Sequence, residues 1–319
     1  MLHKLAPLSS RIVLGTDKIS GPACIDYIHR GLSAGYRTID TAQVYNNEAE
    51  IGEAVRSSTV PRNHVFVTTK ISSGFKKNPR TFKQAVELAR TSIERLGLDY
   101  VDLFLIHHPG DDADPSAAES RRATWAALES LREEGCVRDV GVSNFSAGHI
   151  LEMGPYARVL PSVNQIEVRD FDMFILLVLL ADWNVKVHPW CQQRKLVRLC
   201  RGHKIRIQAY AAIARNTHSE HTGLQGLAGK YGVSTAQLLL LWSLQKGYMP
   251  IVKMTSAAHL RANMELDSLV ISKQDMAVLD SWDKGSKGSL CMLLSSCFYL
   301  STNHDSSMAD ERNRNIAKS

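Results

Sequence analysis

The chain has 319 residues, 44% hydrophobic and 22% charged, enough for one large domain or two small ones around a sizeable core. Its 38 Lys and Arg against 32 Asp and Glu are spread out, with no basic block interleaved with aromatics, which argues against a nucleic-acid partner. The six cysteines form no CxxC pair and read as reduced thiols, and Lys4 and Pro7 interrupt the apolar stretch a secretory signal needs, so the expected location is cytoplasmic.

In chain order, short apolar runs alternate with longer amphipathic ones. "RIVLGT" from Arg11 reads as a strand, and "PACIDYIHRGLSAG" as a helix ending at Gly35. "YRTIDTA" and "NNEAEIGEAVRSS" repeat the pair, then "HVFVTTKI" and "NPRTFKQAVELARTSIERLGL", whose apolar residues recur at three and four. "YVDLFLIHH" precedes the helical "RRATWAALESLREEG", and "VRDVGVSNF" precedes "SAGHILEMGPYARV". "SVNQIEV" is a sixth strand. The run Met173 to Ala181, flanked by Asp172 and Asp182, is far short of the roughly 20 residues of a membrane span, so no membrane partner is expected. Beyond it come a helix in "WCQQRKLVRLCRGHK" and a strand in "IRIQAYAAI". "LQGLAGKYGVSTAQLLLLWSLQKG" supplies helix, "MPIVKM" an eighth strand and "SAAHLRANMEL" a last helix.

Eight apolar strands alternating with helices predict an α/β fold, the closed (β/α)8 TIM barrel. An open doubly wound sheet needs a glycine-rich phosphate turn after its first strand, and "LGTDKISG" is not GxGxxG. Barrel chemistry sits at the carboxyl ends of the strands. There stand Asp40, Tyr45 just beyond, Lys70, His107, Ser143, Asn144, Gln165, Tyr210 and Lys253. Each has a structural reading by itself: Asp40 as a helix cap, Lys70 as a solvated strand end, His107 as a core histidine. Together they read as a site.

The block "GYRTIDTAQVYNNEAEIGEAV" resembles the aldo-keto reductase family, and "VFVTTK", "LGLDYVDLFLIHHP", "GVSNF" and "VNQIEV…HPWCQQ" match later family blocks in order. The resemblance runs from Ile12 to Lys284, with "HPWCQQR" leaning to a fungal type. It implies reduction of an aldehyde or ketone at a barrel spanning 1–287. The catalytic four map onto Tyr45 as general acid, Lys70, Asp40 and His107. A phenol with a pKa around 10 is slightly weak for this task, and a neighbouring ammonium lowers it; Asp40 would keep Lys70 protonated, and His107 would orient the substrate oxygen. Asp17 and His108 fall at pocket positions. No metal is implied.

The same resemblance implies NADPH as cofactor. Ser143, Asn144 and Gln165 match the positions that hold the nicotinamide carboxamide, Tyr210 the aromatic that stacks on the ring, and Lys253 a phosphate contact. Thr255 and Ser256 would open an anion-receiving helix, with Asn263 at the adenine. His259 stands where the family has the arginine that grips the 2′-phosphate, which leaves NADH as an alternative. Met254 replaces a usual serine, and Ala211 begins a stretch lacking the usual Ser-Pro. The expected partner is a small carbonyl compound, and the expected state a monomer or weak dimer.

Two segments depart from the pattern. Removing Val168 to Lys186 joins "NQIE" to "VHPW" without a seam, and these nineteen residues read as a translated intron, the competing reading being a genuine lid. The tail 288–319 passes from apolar to polar and charged and reads as disordered. An inserted lid opens a second functional reading: a catalytically impaired protein, or one that binds nucleotide only.

Overall fold

Aliphatic and β-branched residues dominate the eight predicted strands, and burial on both faces is what such runs require. The computed structural model describes residues 8–75, 78–166, 188–214, 217–254 and 256–285. The strands are β1 (Val13–Gly15), β2 (Thr38–Asp40), β3 (Phe66–Ile71), β4 (Val101–Ile106), β5 (Val137–Ser143), β6 (Val163–Ile166), β7 (Arg206–Ala209) and β8 (Met249–Val252). They close in the order β1-β8-β7-β6-β5-β4-β3-β2, every pair parallel. The TIM barrel expected from the sequence is the fold of this chain. Gly74–Phe75 and Asn78–Pro79 form a short antiparallel pair outside the barrel sheet.

Ten helices lie among the described residues: α1 (Pro22–Ser33), α2 (Glu48–Arg56), α3 (Phe82–Leu96), α4 (Ala117–Glu133), α5 (Ala147–Met153), α6 (Arg194–Gly202), α7 (Thr222–Tyr231), α8 (Thr235–Gln245), α9 (Ala257–Met264) and α10 (Lys273–Ser281). Their apolar faces meet the outward residues of the sheet in one core that includes Phe104, Ile106, Trp125 and Leu128. Strand alternation sends the other residues inward: Leu103, Leu105 and Val163 form a small lumen cluster with Phe66 packed on it. Lys70 pairs in register with Leu105, and Gln165 follows Val163 by two, so both point into the lumen above that plug.

Three differences from the sequence reading have a local cause in the backbone or a cap. The helix expected across 224–247 is two, because Gly232 takes φ 66 and a Ser234–Gln237 capping box starts α8 anew. The helix expected from Trp190 begins at Arg194, because His188 and Cys191 form a bridge and Gln193 is left-handed at φ 43. Helix α10 lies beyond the last helix expected, opened by Ser272 accepting from the Asp275 N–H. The proposed intron 168–186 and the tail 288–319 lie outside the described residues. No described helix is long and apolar enough to cross a membrane.

Candidate active site

After Asp40 the chain passes Ala42 into a 3-10 turn, Gln43–Tyr45, which presents Tyr45 at the mouth of the barrel. Asn46 leaves that turn at φ 53, a conformation Asn tolerates through its short polar side chain. Buried Asn47 then ties the loop down. Its amide donates to the carbonyls of Thr16 (2.9 Å) and Ile19 (2.8 Å), and its oxygen accepts from the Thr41 hydroxyl (2.6 Å).

Lys70 has no exposed surface. Its Nζ donates to Asp40 Oδ1 at 2.6 Å and to the Thr41 carbonyl at 2.8 Å, and lies 5.0 Å from the centroid of the Tyr45 ring. His107, one residue past β4, meets Tyr45 edge-on with centroids 5.8 Å apart and planes at 86°. The four residues expected to act together are therefore brought together.

Burial and charge set their ionisation. For Lys70, burial works against the ammonium, but Asp40 and Tyr45 outweigh it and the pKa rises. Burial raises the Asp40 carboxyl against the pull of Lys70 and of Gln165. Burial also raises the Tyr45 phenol above its ordinary value; Lys70 lowers it, and the carboxylates of Asp40 and Asp17 add to the rise. This corrects the expectation of a net-lowered phenol: the ammonium acts in the expected direction, and desolvation exceeds it. His107 falls well below the ordinary imidazole range through burial, then through Lys70, and is neutral. Burial and the neighbouring His149 bring His108 down to about 4.

The next strand ends close the far side. Asn144, left-handed at φ 62, donates from Nδ2 to the His107 carbonyl (2.9 Å) and to Ser143 Oγ (3.0 Å), while its Oδ1 accepts from the Tyr210 hydroxyl at 2.7 Å. Gln165 donates from Nε2 to Asp40 Oδ2 at 2.6 Å and to Gln208 Oε1 at 2.9 Å. Beside this wall, Arg121 on α4 donates to the Pro109 carbonyl and pairs with Glu152 (2.6 Å), and His149 bonds Asp112 (2.8 Å), joining α4 and the loop that follows β4 to helix α5. Neither Asn47 nor Gln208 was singled out in the sequence. The "NNE" context flags Asn47, but Gln208 lies in an ordinary-looking strand.

On the β1–β8 side of the same rim, the exposed Lys253 donates to the Asp17 carbonyl at 2.9 Å, and Asp17 is itself exposed. Ser256 stands at the N-cap of α9 without capping it, so its hydroxyl is not spent on the helix. His259 is exposed on the first turn, and buried Asn263 donates to the Met254 sulfur at 2.8 Å. Thr255 lies outside the described residues. This donor set, an exposed cation, an unspent hydroxyl at a helix start and a buried amide, suits an anionic nucleotide. Among the described residues, no group of three His, Cys, Asp or Glu is arranged to hold a metal.

The sequence profile of the aldo/keto reductase family matches residues 11–284. This chain belongs to the aldo/keto reductase family. It is accordingly an oxidoreductase of the kind that acts on small carbonyl compounds. An aldo-keto reductase of Mycobacterium sp. (strain MCS) is 32% identical over 274 residues, covering 86% of this chain and 87% of that protein. The glyoxal reductase of Bacillus subtilis (strain 168) is 31% identical over 275 residues, 85% of this chain and 88% of that one. The structure of a Bombyx mori aldo-keto reductase in complex with NADP superposes with a TM-score of 0.70 at 28% identity, covering 86% of this chain and 89% of that one. Relatives of similar identity come from bacteria and from Schizosaccharomyces pombe alike, so no fungal subgroup follows for this reductase.

Proposed function

We propose that this chain reduces an aldehyde or ketone to the alcohol with NADPH as the hydride source. The observation that carries the reading is the buried Lys70, ion-paired to Asp40 at 2.6 Å and set 5.0 Å from the ring of Tyr45. NADPH, when bound, supplies the hydride. Ser143, Asn144 and Gln165 would hold its carboxamide end, Tyr210 would cover the ring, and Lys253, Thr255, Ser256, His259 and Asn263 would receive the phosphates and adenosine. The NADP-bound silkworm relative supports this choice of cofactor.

Tyr45 gives its phenolic proton to the carbonyl oxygen as negative charge collects there. Its raised pKa keeps the phenol protonated at neutral pH, the form the reduction needs, and Lys70 stabilises the phenolate left behind. His107, held neutral, donates a hydrogen bond to the same oxygen and orients it. Asp17 and His108 make the substrate side of the mouth more polar than an aromatic lining would. His259, an imidazole in place of a guanidinium, weakens selection for the 2′-phosphate and leaves room for NADH, which a comparison of the two dissociation constants measures.

The test is consumption of NADPH in the presence of a reactive aromatic aldehyde, followed by absorbance. Tyr45→Phe is expected to lower kcat by about a hundredfold or more, the scale of a lost general acid, while tryptophan fluorescence is still quenched by NADPH. Undiminished turnover in that variant would overturn the assignment of the proton donor.

A further inference from the structure

Gln208 is fully buried on β7, paired in register with Gln165 on β6. Its Oε1 accepts from Gln165 Nε2 at 2.9 Å, whereas its own Nε2 has no hydrogen-bond partner among the described residues. The direction of these bonds follows from chemistry. An ionised Asp40 only accepts, so the group Gln165 turns toward it at 2.6 Å is the NH2. That NH2 has one hydrogen left, and Gln208 meets it with an oxygen. Gln165 is thus held at two points by its nitrogen, and its own oxygen is left for a third group.

A buried amide that uses only its carbonyl is a poor stabiliser, because the unpaired donor loses its water without compensation. A residue present only to fill this place would do better as an apolar side chain of the same length. The half-used amide marks a role at Gln165.

We propose that Gln208 is a positioning residue for the cofactor: by taking the second amide hydrogen of Gln165, it fixes that side chain with its oxygen facing the nicotinamide carboxamide. The inference rests on the NADPH reading above, which assigns Gln165 to the carboxamide. Without the oxygen at 208, Gln165 keeps its bond to Asp40 but swings about it, and the carboxamide loses a fixed acceptor.

The experiment uses the full chain and compares Gln208→Met, which keeps length and removes the acceptor, with Gln208→Glu, which keeps an acceptor oxygen in either protonation state. Thermal melting, NADPH quenching and the KM and kcat for NADPH are measured on each. Gln208→Met removes one unpaired donor and leaves another on Gln165, so it is expected to melt within a few degrees of wild type, to raise Kd and KM for NADPH about tenfold, as for one lost hydrogen bond, and to change kcat by less than about twofold. Gln208→Glu is expected to recover most of the affinity. If the methionine variant does not fold, Gln208→Asn, whose oxygen falls short, is expected to show the same rise in KM. Wild-type affinity for NADPH in a folded Met or Asn variant overturns the inference while leaving the NADPH reading intact. Wild-type protein that does not bind NADPH at all overturns both.

Discussion

A lysine with no exposed surface keeps its charge only if that charge is met on the spot, since desolvating an ammonium costs several kcal/mol. Lys70 meets it with the Asp40 carboxylate and the Thr41 carbonyl, and neutral His107 adds no second cation beside it. The two histidines after β4 then make stability depend on pH. Their folded-state pKa values lie below the ordinary 6.5, His108 at about 4 and His107 well below 6.5. The unfolded chain takes up protons below 6.5 that the folded chain refuses, so stability present above 6.5 is lost as pH falls toward 4. Melting temperature is expected to fall across that window, and His108→Gln to flatten part of the fall; an unchanged pH profile in that variant would show that another group controls it. Most of the candidate site was legible at this scale. Asp40, Tyr45, Lys70 and His107 stand out because ionisable residues are rare at the ends of apolar strands. Gln208 did not, because a polar residue in "IRIQAYAAI" fits ordinary alternation, and its partner is distant in sequence. The net shift of the Tyr45 phenol was misread for a related reason: a neighbouring charge is visible in a motif, and the depth of burial is not.

Among the elements, strands were easier to read than helix ends. Apolar-rich runs such as "YVDLFLI" mark a doubly buried strand, whereas α7 and α8 read as one because both carry an apolar pattern across Gly232, and its left-handed backbone and the Ser234 cap separate them. One close approach matters for the site. Helix α2, which follows the turn bearing Tyr45, crosses the end of α3 at Gly52, where an added Cβ would stand 1.7 Å from the Leu96 carbonyl oxygen. That neighbour is backbone and cannot swing away. Gly52→Ala is expected to destabilise by about 1–3 kcal/mol or more, the usual scale of overpacking, seen as a lower urea midpoint at unchanged slope. A midpoint equal to wild type would mean that α2 and α3 part easily.

For the whole molecule, the question left by the sequence is the stretch Val168 to Lys186. The flanks on either side are secured independently of it. β6 is laddered to β5 and β7, and the stretch after it is anchored to the end of α10. There Lys284 N–H donates to the Trp190 carbonyl at 2.8 Å, and Arg194 pairs with Asp283 at 3.0 Å. Trp190 also stacks on Trp282 with centroids 5.2 Å apart. Deleting 168–186 is therefore expected to leave a chain that melts in one transition at or above the original temperature and reduces the same aldehyde. Loss of folding on deletion would show the segment to be a working part of the protein.

Asp40 and Gln165 stand on β2 and β6, four places apart in a ring of eight strands, which sets them on opposite walls. The bond between them, extended by Lys70 on one side and Gln208 on the other, works as a tie rod across the bore. The tube cannot lengthen along that diameter without stretching contacts of 2.6 Å, so loops at the rim can be remodelled for different carbonyl compounds while the walls beneath them stay tied.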